Sequence, residues 1–119
     1  MANIIEIEYV LRAAPTVLQQ PRVVLEGWVA FQGLERCLLV GMNQETAKLR
    51  FTTHIIEVSA GRRTWVTSSG RVYETPSWPE GSAALRELYG RAARIHLATF
   101  DLTDVSEAFL ERFQSAAAK

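Results

Sequence analysis

The sequence predicts an α+β domain in which two helices pack on one face of an antiparallel sheet of five to seven strands. Segments with the alternating pattern of strands, separated by short turns, occupy the chain before Pro76. Helical spacing of apolar residues appears only after that proline. The length of 119 residues is that of one domain, so residues 1–119 are expected to form a single folded unit.

Strands are predicted from runs of apolar residues with period-2 alternation between turn residues. The ranges are 4–11, 23–31, 36–42, 47–58, 63–67 and 71–75, with a last strand at 95–100. Within 47–58 the alternation changes parity, which predicts a bulge near Thr53 and His54. Gly27, inside the second range, indicates a bulge or a close backbone approach.

Two helices are predicted, over about residues 82–93 and 104–116. Ser77 and Ser82 are competing N-caps for the first helix, and Asp104 is the N-cap of the second. Apolar residues recur at helical spacing on both segments. Those expected to be buried against the sheet are Leu85, Leu88, Val105, Phe109 and Phe113.

The composition argues against membrane insertion and export. No apolar run approaches the roughly 20 residues that cross a bilayer, and the N-terminus lacks the basic and apolar regions of a signal peptide. A net charge of zero does not favour general binding to membranes or nucleic acid. We therefore expect a cytoplasmic protein that does not associate with membranes.

The sequence contains no recognisable catalytic, cofactor or metal motif. Its candidate metal ligands of the soft or imidazole type, Cys37, His54 and His96, lie in separate segments. Cys37 is expected to be a small buried side chain, and as the single cysteine it excludes an internal disulfide. Asp101 and Asp104 are explained as acidic residues at a helix start. We expect no metal, no cofactor and no catalytic residue.

The positive charge is concentrated in the middle of the chain. Residues 48–72 carry five basic side chains and one acidic side chain, whereas both flanks are mildly acidic. Arginines and aromatic residues alternate over the predicted hairpin and the segment after it. The candidate partner-binding residues are Arg62, Arg63, Trp65, Arg71, Tyr73 and Trp78.

Three interpretations of these six residues remain open. Trp, Tyr and Arg are enriched in protein interfaces, and arginines beside aromatic rings also bind single-stranded nucleic acid. In the third interpretation Trp65 and Tyr73 belong to the core and the arginines are solvated. By parity Arg63 shares a face with Trp65, which predicts that this face is partly wet. Arg62 and Arg63 lie at a turn, so both are expected to be solvated.

The segment from Thr67 to Tyr73, Thr-Ser-Ser-Gly-Arg-Val-Tyr, weakly resembles the T-x-S-G-x-x-Y hairpin of many small proteins of bacteria and their phages. Asp101-Leu102-Thr103 is similar to an acidic-threonine motif near the end of such proteins. These proteins share no common activity. The resemblance implies a prokaryotic or phage origin and non-enzymatic binding roles, including inhibition of a host defence complex. It implies no role for any single residue.

These observations favour a non-enzymatic protein-binding module, of the kind that masks a surface of a larger complex. The alternative is a nucleic-acid-binding accessory protein that uses the same basic and aromatic hairpin. A small enzyme with a site assembled from distant segments is the third hypothesis. A protein partner is expected, and a homodimer remains open.

Overall fold

The computed structural model describes residues 21–33, 35–97 and 101–117. Within these ranges the order is six strands, a helix, a short strand and a second helix. The strands are β1 (Arg22–Gln32), β2 (Cys37–Asn43), β3 (Leu49–Phe51), β4 (Ile55–Ser59), β5 (Thr64–Thr67), β6 (Val72–Glu74) and β7 (Thr103–Asp104). The helices are α1 (Ala83–Leu97) and α2 (Ser106–Ala117). The predicted strand at 4–11 lies outside the described residues.

The described strands form one sheet in the order β3-β2-β1-β6-β5-β4, with β7 paired to β1. Strands β1–β3 and β4–β6 are two antiparallel meanders. The meanders join through a parallel pairing of β1 with β6. The α+β class, with seven strands and two helices among the described residues, confirms the prediction, while the parallel pair makes the sheet mixed rather than purely antiparallel.

The predicted strand at 47–58 is divided into β3 and β4. The chain leaves the first meander at Thr52, whose N–H donates to the Leu39 carbonyl at 3.0 Å and whose Oγ1 accepts from the Leu39 N–H at 3.0 Å. Farther on, the His54 carbonyl accepts from the N–H of Ser68 in the second meander at 2.9 Å. The change of parity in the sequence therefore marks the passage from one meander to the other.

A β-bulge at Gly27 changes which side of β1 faces each core. The pairing register with β2 shifts between Glu26 and Val29, and Gly27 has a φ of 54°. Glycine adopts this left-handed conformation at little cost. Opposite the bulge, a Cβ on Gly41 would lie 3.2 Å from the Cβ of Leu25, so only glycine fits this close approach without adjustment.

The two helices pack on opposite faces of the sheet, which corrects the prediction that both lie on one face. Tyr89, Ala92 and Ala93 of α1 share a core with Val29 and Val40, on one face of β1 and β2. Phe113 of α2 shares a second core with residues on the other face, where the bulge at Gly27 changes the parity along β1. That core contains Val23, Leu25, Trp28, Ala30, Leu39, Trp65 and Tyr73. Because β1 and β2 carry apolar side chains on both faces, each face must be covered.

Helix α1 differs from its prediction in its end and in its buried face. Its N-cap is Ser82, whose Oγ accepts from the Leu85 N–H at 3.3 Å. The helix continues to Leu97, so the predicted strand is wrong for residues 95–97, and residues 98–100 lie outside the described ranges. Leu85 is exposed and Leu88 half-buried, because the helix instead turns Tyr89, Ala92 and Ala93 to the sheet.

Helix α2 packs largely as predicted. Phe113 is buried, and Val105 and Phe109 are partly buried against the same core. Asp104, the predicted N-cap, accepts a hydrogen bond at its Oδ1 from the Ser106 N–H at 2.9 Å. Because α2 begins at Ser106, Asp104 lies one residue before the position directly preceding the helix, a difference within the usual uncertainty of helix ends. The buried Ser106 hydroxyl accepts from the Ala30 N–H at 2.9 Å and so fixes the start of α2 on β1.

Candidate functional site

The structure separates the six candidate residues into a buried set and a surface set. Trp65, Tyr73 and Arg71 are buried, so the face that was expected to be partly wet belongs to the core. Arg62 is exposed, Trp78 is 61% exposed, and Arg63 is half-buried. Burial removes the first three from direct contact with a partner and leaves Arg62, Arg63 and Trp78.

Trp65 stands at the centre of an aromatic cluster. Its ring centre lies 5.4 Å from that of Trp28, 4.7 Å from that of Phe109 and 5.4 Å from that of Phe113. Its indole N–H donates to Thr75 Oγ1 at 2.8 Å. A buried tryptophan with a satisfied N–H and edge-to-face neighbours stabilises the core and orients the residues next to it in the chain.

Arg63 does not follow the strand parity assumed from the sequence, because it lies in the turn before β5. Its φ of 55° is left-handed, which is uncommon for a residue with a side chain. The guanidinium carbon lies 5.8 Å from the Trp78 ring centre and 5.4 Å from that of Phe113. The expectation of a fully solvated Arg63 is therefore wrong, since its head group contacts both rings at cation–π distance.

The carbonyl of Ser77 ties this arginine to the loop that follows β6. It accepts from Arg63 Nη2 at 2.7 Å and from the Trp28 indole N–H at 3.1 Å. Beside this arrangement, Arg63 Nε and Ser77 Oγ are buried polar atoms without a hydrogen-bond partner among the described residues. Backbone strain together with unsatisfied polar atoms is typical of functional sites.

Trp78 is presented on a fixed loop. Ser77 before it is held by Arg63 and Trp28, and Pro79 after it is buried. The next N–H, that of Glu80, donates to the Trp28 carbonyl at 2.9 Å. A large exposed ring with an immobilised backbone loses little conformational entropy when a partner covers it.

A groove with a volume of about 720 Å³ begins at Arg63 and runs over the outer face of β4–β6. Half-buried Thr64, Val66 and Val72 line its floor. The charged residues on its walls are Arg22, Glu57, Arg62, Arg63 and Glu74. Because Arg22 forms a 2.7 Å ion pair with Glu74, Arg62 and Arg63 remain against Glu57, and the groove keeps a small positive excess.

We call Arg62, Arg63, Pro76 and Trp78 the Arg63–Trp78 surface. Its residues Arg62, Arg63 and Pro76 also line the groove. The sequence pointed to Arg62, Arg63 and Trp78, but not to Ser77 and Phe113, which hold Arg63 in place. Ser77 lies 14 residues from Arg63 in sequence, and Phe113 is more distant still. Neither contact leaves a local signal.

The described residues contain no group of three or more His, Cys, Asp or Glu side chains that could hold a metal ion. Cys37, expected to be buried, is half-buried. This burial raises the pKa of its thiol to about 11, which keeps it protonated near neutral pH. Burial first, and the charge of Glu80 second, raise the pKa of Tyr89. None of these groups has the environment of an activated nucleophile.

No helix within the described ranges has both the length and the apolar character needed to cross a membrane.

No protein-family model matches the chain, and comparisons with curated proteins and with solved structures find no significant match.

Proposed function

We propose that this protein is a non-enzymatic protein-binding module that holds a segment of its partner on the Arg63–Trp78 surface. The observation that carries the proposal is Trp78, which is 61% exposed on a fixed loop with the Arg63 guanidinium carbon 5.8 Å from its ring centre. Trp and Arg are the residue types most enriched among interface residues that dominate binding energy. Within this proposal, masking a surface of a larger complex is the role that the resemblance implies.

The groove supports a mode of binding in which the partner contributes an extended segment. Val66 and Val72 offer apolar area on its floor, and the exposed Arg62 offers a positive charge at its rim. An apolar centre beside a charged rim is the usual composition of a protein interface. A partner segment that covers Trp78 and continues into the groove would contact both the apolar floor and the charged rim.

The test compares proteins retained from a bacterial lysate by the immobilised wild type, by Trp78→Ala and by Ile95→Ala. Ile95, 51% exposed on α1, is a matched control for loss of exposed apolar area. We expect a protein that wild type and Ile95→Ala retain and that Trp78→Ala binds at least about tenfold more weakly. Equal retention of every bound protein by the wild type and both variants would contradict the proposal.

A nucleic-acid-binding accessory protein is the second candidate, favoured by the same exposed tryptophan. Bases of single strands stack on such rings, and neighbouring arginines contact the phosphates. Nuclease treatment of the retained material separates the two candidates. A partner that is still retained after digestion supports protein binding. If digestion releases the retained material and its nucleic-acid ultraviolet absorbance disappears, the alternative is supported.

A further inference from the structure

The two histidines of the chain come from distant segments and line the same cavity. His54 lies in the connection between β3 and β4, and His96 lies in the last turn of α1. The cavity has a volume of about 460 Å³, within the range of small-molecule pockets. It shares no lining residue with the groove beside Arg63.

Hydrogen bonds and ring packing fix the walls of this histidine cavity. The carbonyl of His54 accepts from the Ser68 N–H at 2.9 Å, and Thr52 is bonded to β2 as described above. The His96 ring packs against Phe51, with ring centres 5.6 Å apart. The cavity is therefore held by three structural elements and does not depend on a single loop for its shape.

The charged and titratable side chains that line the cavity are Arg36, His54 and His96. No aspartate or glutamate is among the described residues that line it. The Ser68 side chain adds a hydroxyl. Leu97, 38% exposed, supplies apolar surface, and the buried Leu38 and Phe51 also line the cavity. Nitrogen donors together with apolar surface fit an anion with an apolar body.

His96 also has a structural role, because a basic residue in the last turn complements the helix dipole. That role explains the position of one imidazole. It does not explain why the only other histidine and Arg36 converge on the same cavity.

We propose that the histidine cavity binds a small organic anion, with its carboxylate or phosphate head group at Arg36, His54 and His96 and its apolar body on Leu97, beside Leu38 and Phe51.

The presence of two histidines makes proton NMR a direct test. Imidazole resonances are assigned with His54→Gln and His96→Gln, and the protein is titrated with benzoate, phenyl phosphate and inorganic phosphate. We expect both imidazoles to shift with one dissociation constant, and inorganic phosphate to bind more weakly than phenyl phosphate. Benzoate and phenyl phosphate distinguish a carboxylate from a phosphate head group.

Arg36→Gln should weaken binding about tenfold, and the charge-matched control Arg62→Gln in the other groove should leave it unchanged. The proposal is overturned if none of the anions gives a saturable shift, if only one imidazole responds, or if Arg36→Gln binds as well as wild type. It is also overturned if zinc shifts both imidazoles while the anions do not. Because the cavity shares no residue with the groove, loss of partner binding in Trp78→Ala has no bearing on this test.

Discussion

The guanidinium of Arg63 lies 5.4 Å from the centre of the Phe113 ring and so connects the turn before β5 to helix α2. The same head group donates to the Ser77 carbonyl at 2.7 Å. One side chain thus links three segments that are separate in sequence. The exposed Trp78 is positioned by these contacts, since it follows Ser77 directly.

Arg63→Ala should lower the free energy of unfolding by about 1–3 kcal/mol, because it removes a charge-assisted hydrogen bond and two cation–π contacts. Arg63→Gly should be more stable than Arg63→Ala by about 1 kcal/mol, because glycine tolerates the left-handed backbone at this position. Arg62→Ala, at the exposed neighbour, should stay within about 0.5 kcal/mol of wild type. Urea denaturation of the three variants checks the order, and an equally mild effect of Arg63→Ala would contradict the linking role.

Phe113→Ala should cost about 3–5 kcal/mol, because Phe113 is 3% exposed and its ring packs against those of both Trp28 and Trp65. Phe109→Ala should cost less, since Phe109 is only partly buried, although its ring is 4.7 Å from that of Trp65. Equilibrium unfolding followed by tryptophan fluorescence measures both losses. A larger loss for Phe109→Ala than for Phe113→Ala would contradict the conclusion that α2 buries Phe113 more deeply than Phe109.

Gly27→Ala should destabilise the protein by about 1–2 kcal/mol, because φ at this bulge is 54°. The new Cβ would also lie 2.8 Å from Glu80 Oε2, although that side chain can move. Gly61→Ala is the control, since a Cβ there meets nothing within 4 Å and the backbone of Gly61 is not left-handed. Thermal unfolding of the pair should show a clear loss for Gly27→Ala alone.

Some parts of this structure could be predicted from local patterns, and others could not. Periodicity located β1, β2, β5, β6 and both helices to within a few residues. It did not show that both faces of β1 and β2 would be covered, although the apolar runs Trp28–Phe31 and Cys37–Val40 carried that information. Ile95 looked like the start of a strand, but nothing after Gly90 interrupts the helix, and α1 continues to Leu97.

The candidate site was located correctly in sequence but only partly in space. Counting parity from Trp65 assigned Arg63 to a strand face, whereas Arg63 belongs to a turn with a left-handed backbone. Trp65 and Tyr73 alternate with outward residues as strand geometry requires, but their side of the hairpin faces the second core. Which side is buried depends on α2, which lies more than 30 residues later in the chain.

Cys37 should react slowly with thiol reagents near neutral pH. Burial raises its pKa from 9.0 to about 11, so the folded protein holds little thiolate until strongly alkaline pH. We expect modification by iodoacetamide to be about 10- to 100-fold slower than in urea-unfolded protein, and to accelerate as the pH approaches the raised pKa. The same shift should lower stability as the pH rises from about 9 towards 11, because the unfolded chain releases the thiol proton first. A rapid reaction of the folded protein at neutral pH would contradict this account of Cys37.

The salt dependence of partner binding should distinguish the two candidate functions. A protein segment anchored on Trp78 and the apolar groove floor should lose little affinity between low and physiological salt, since most of its binding energy is not electrostatic. A nucleic acid should show log K falling steeply with log salt, because each neutralised phosphate releases a counterion. Arg62→Ala should then flatten the slope by about one unit for nucleic acid, whereas for a protein partner it should mainly change the association rate. Titrations of wild type, Arg62→Ala and Trp78→Ala at three salt concentrations measure these effects. If neither substitution weakens binding at any salt concentration, the Arg63–Trp78 surface is structural, and the exposed faces of α1 and α2 are the next surfaces to test.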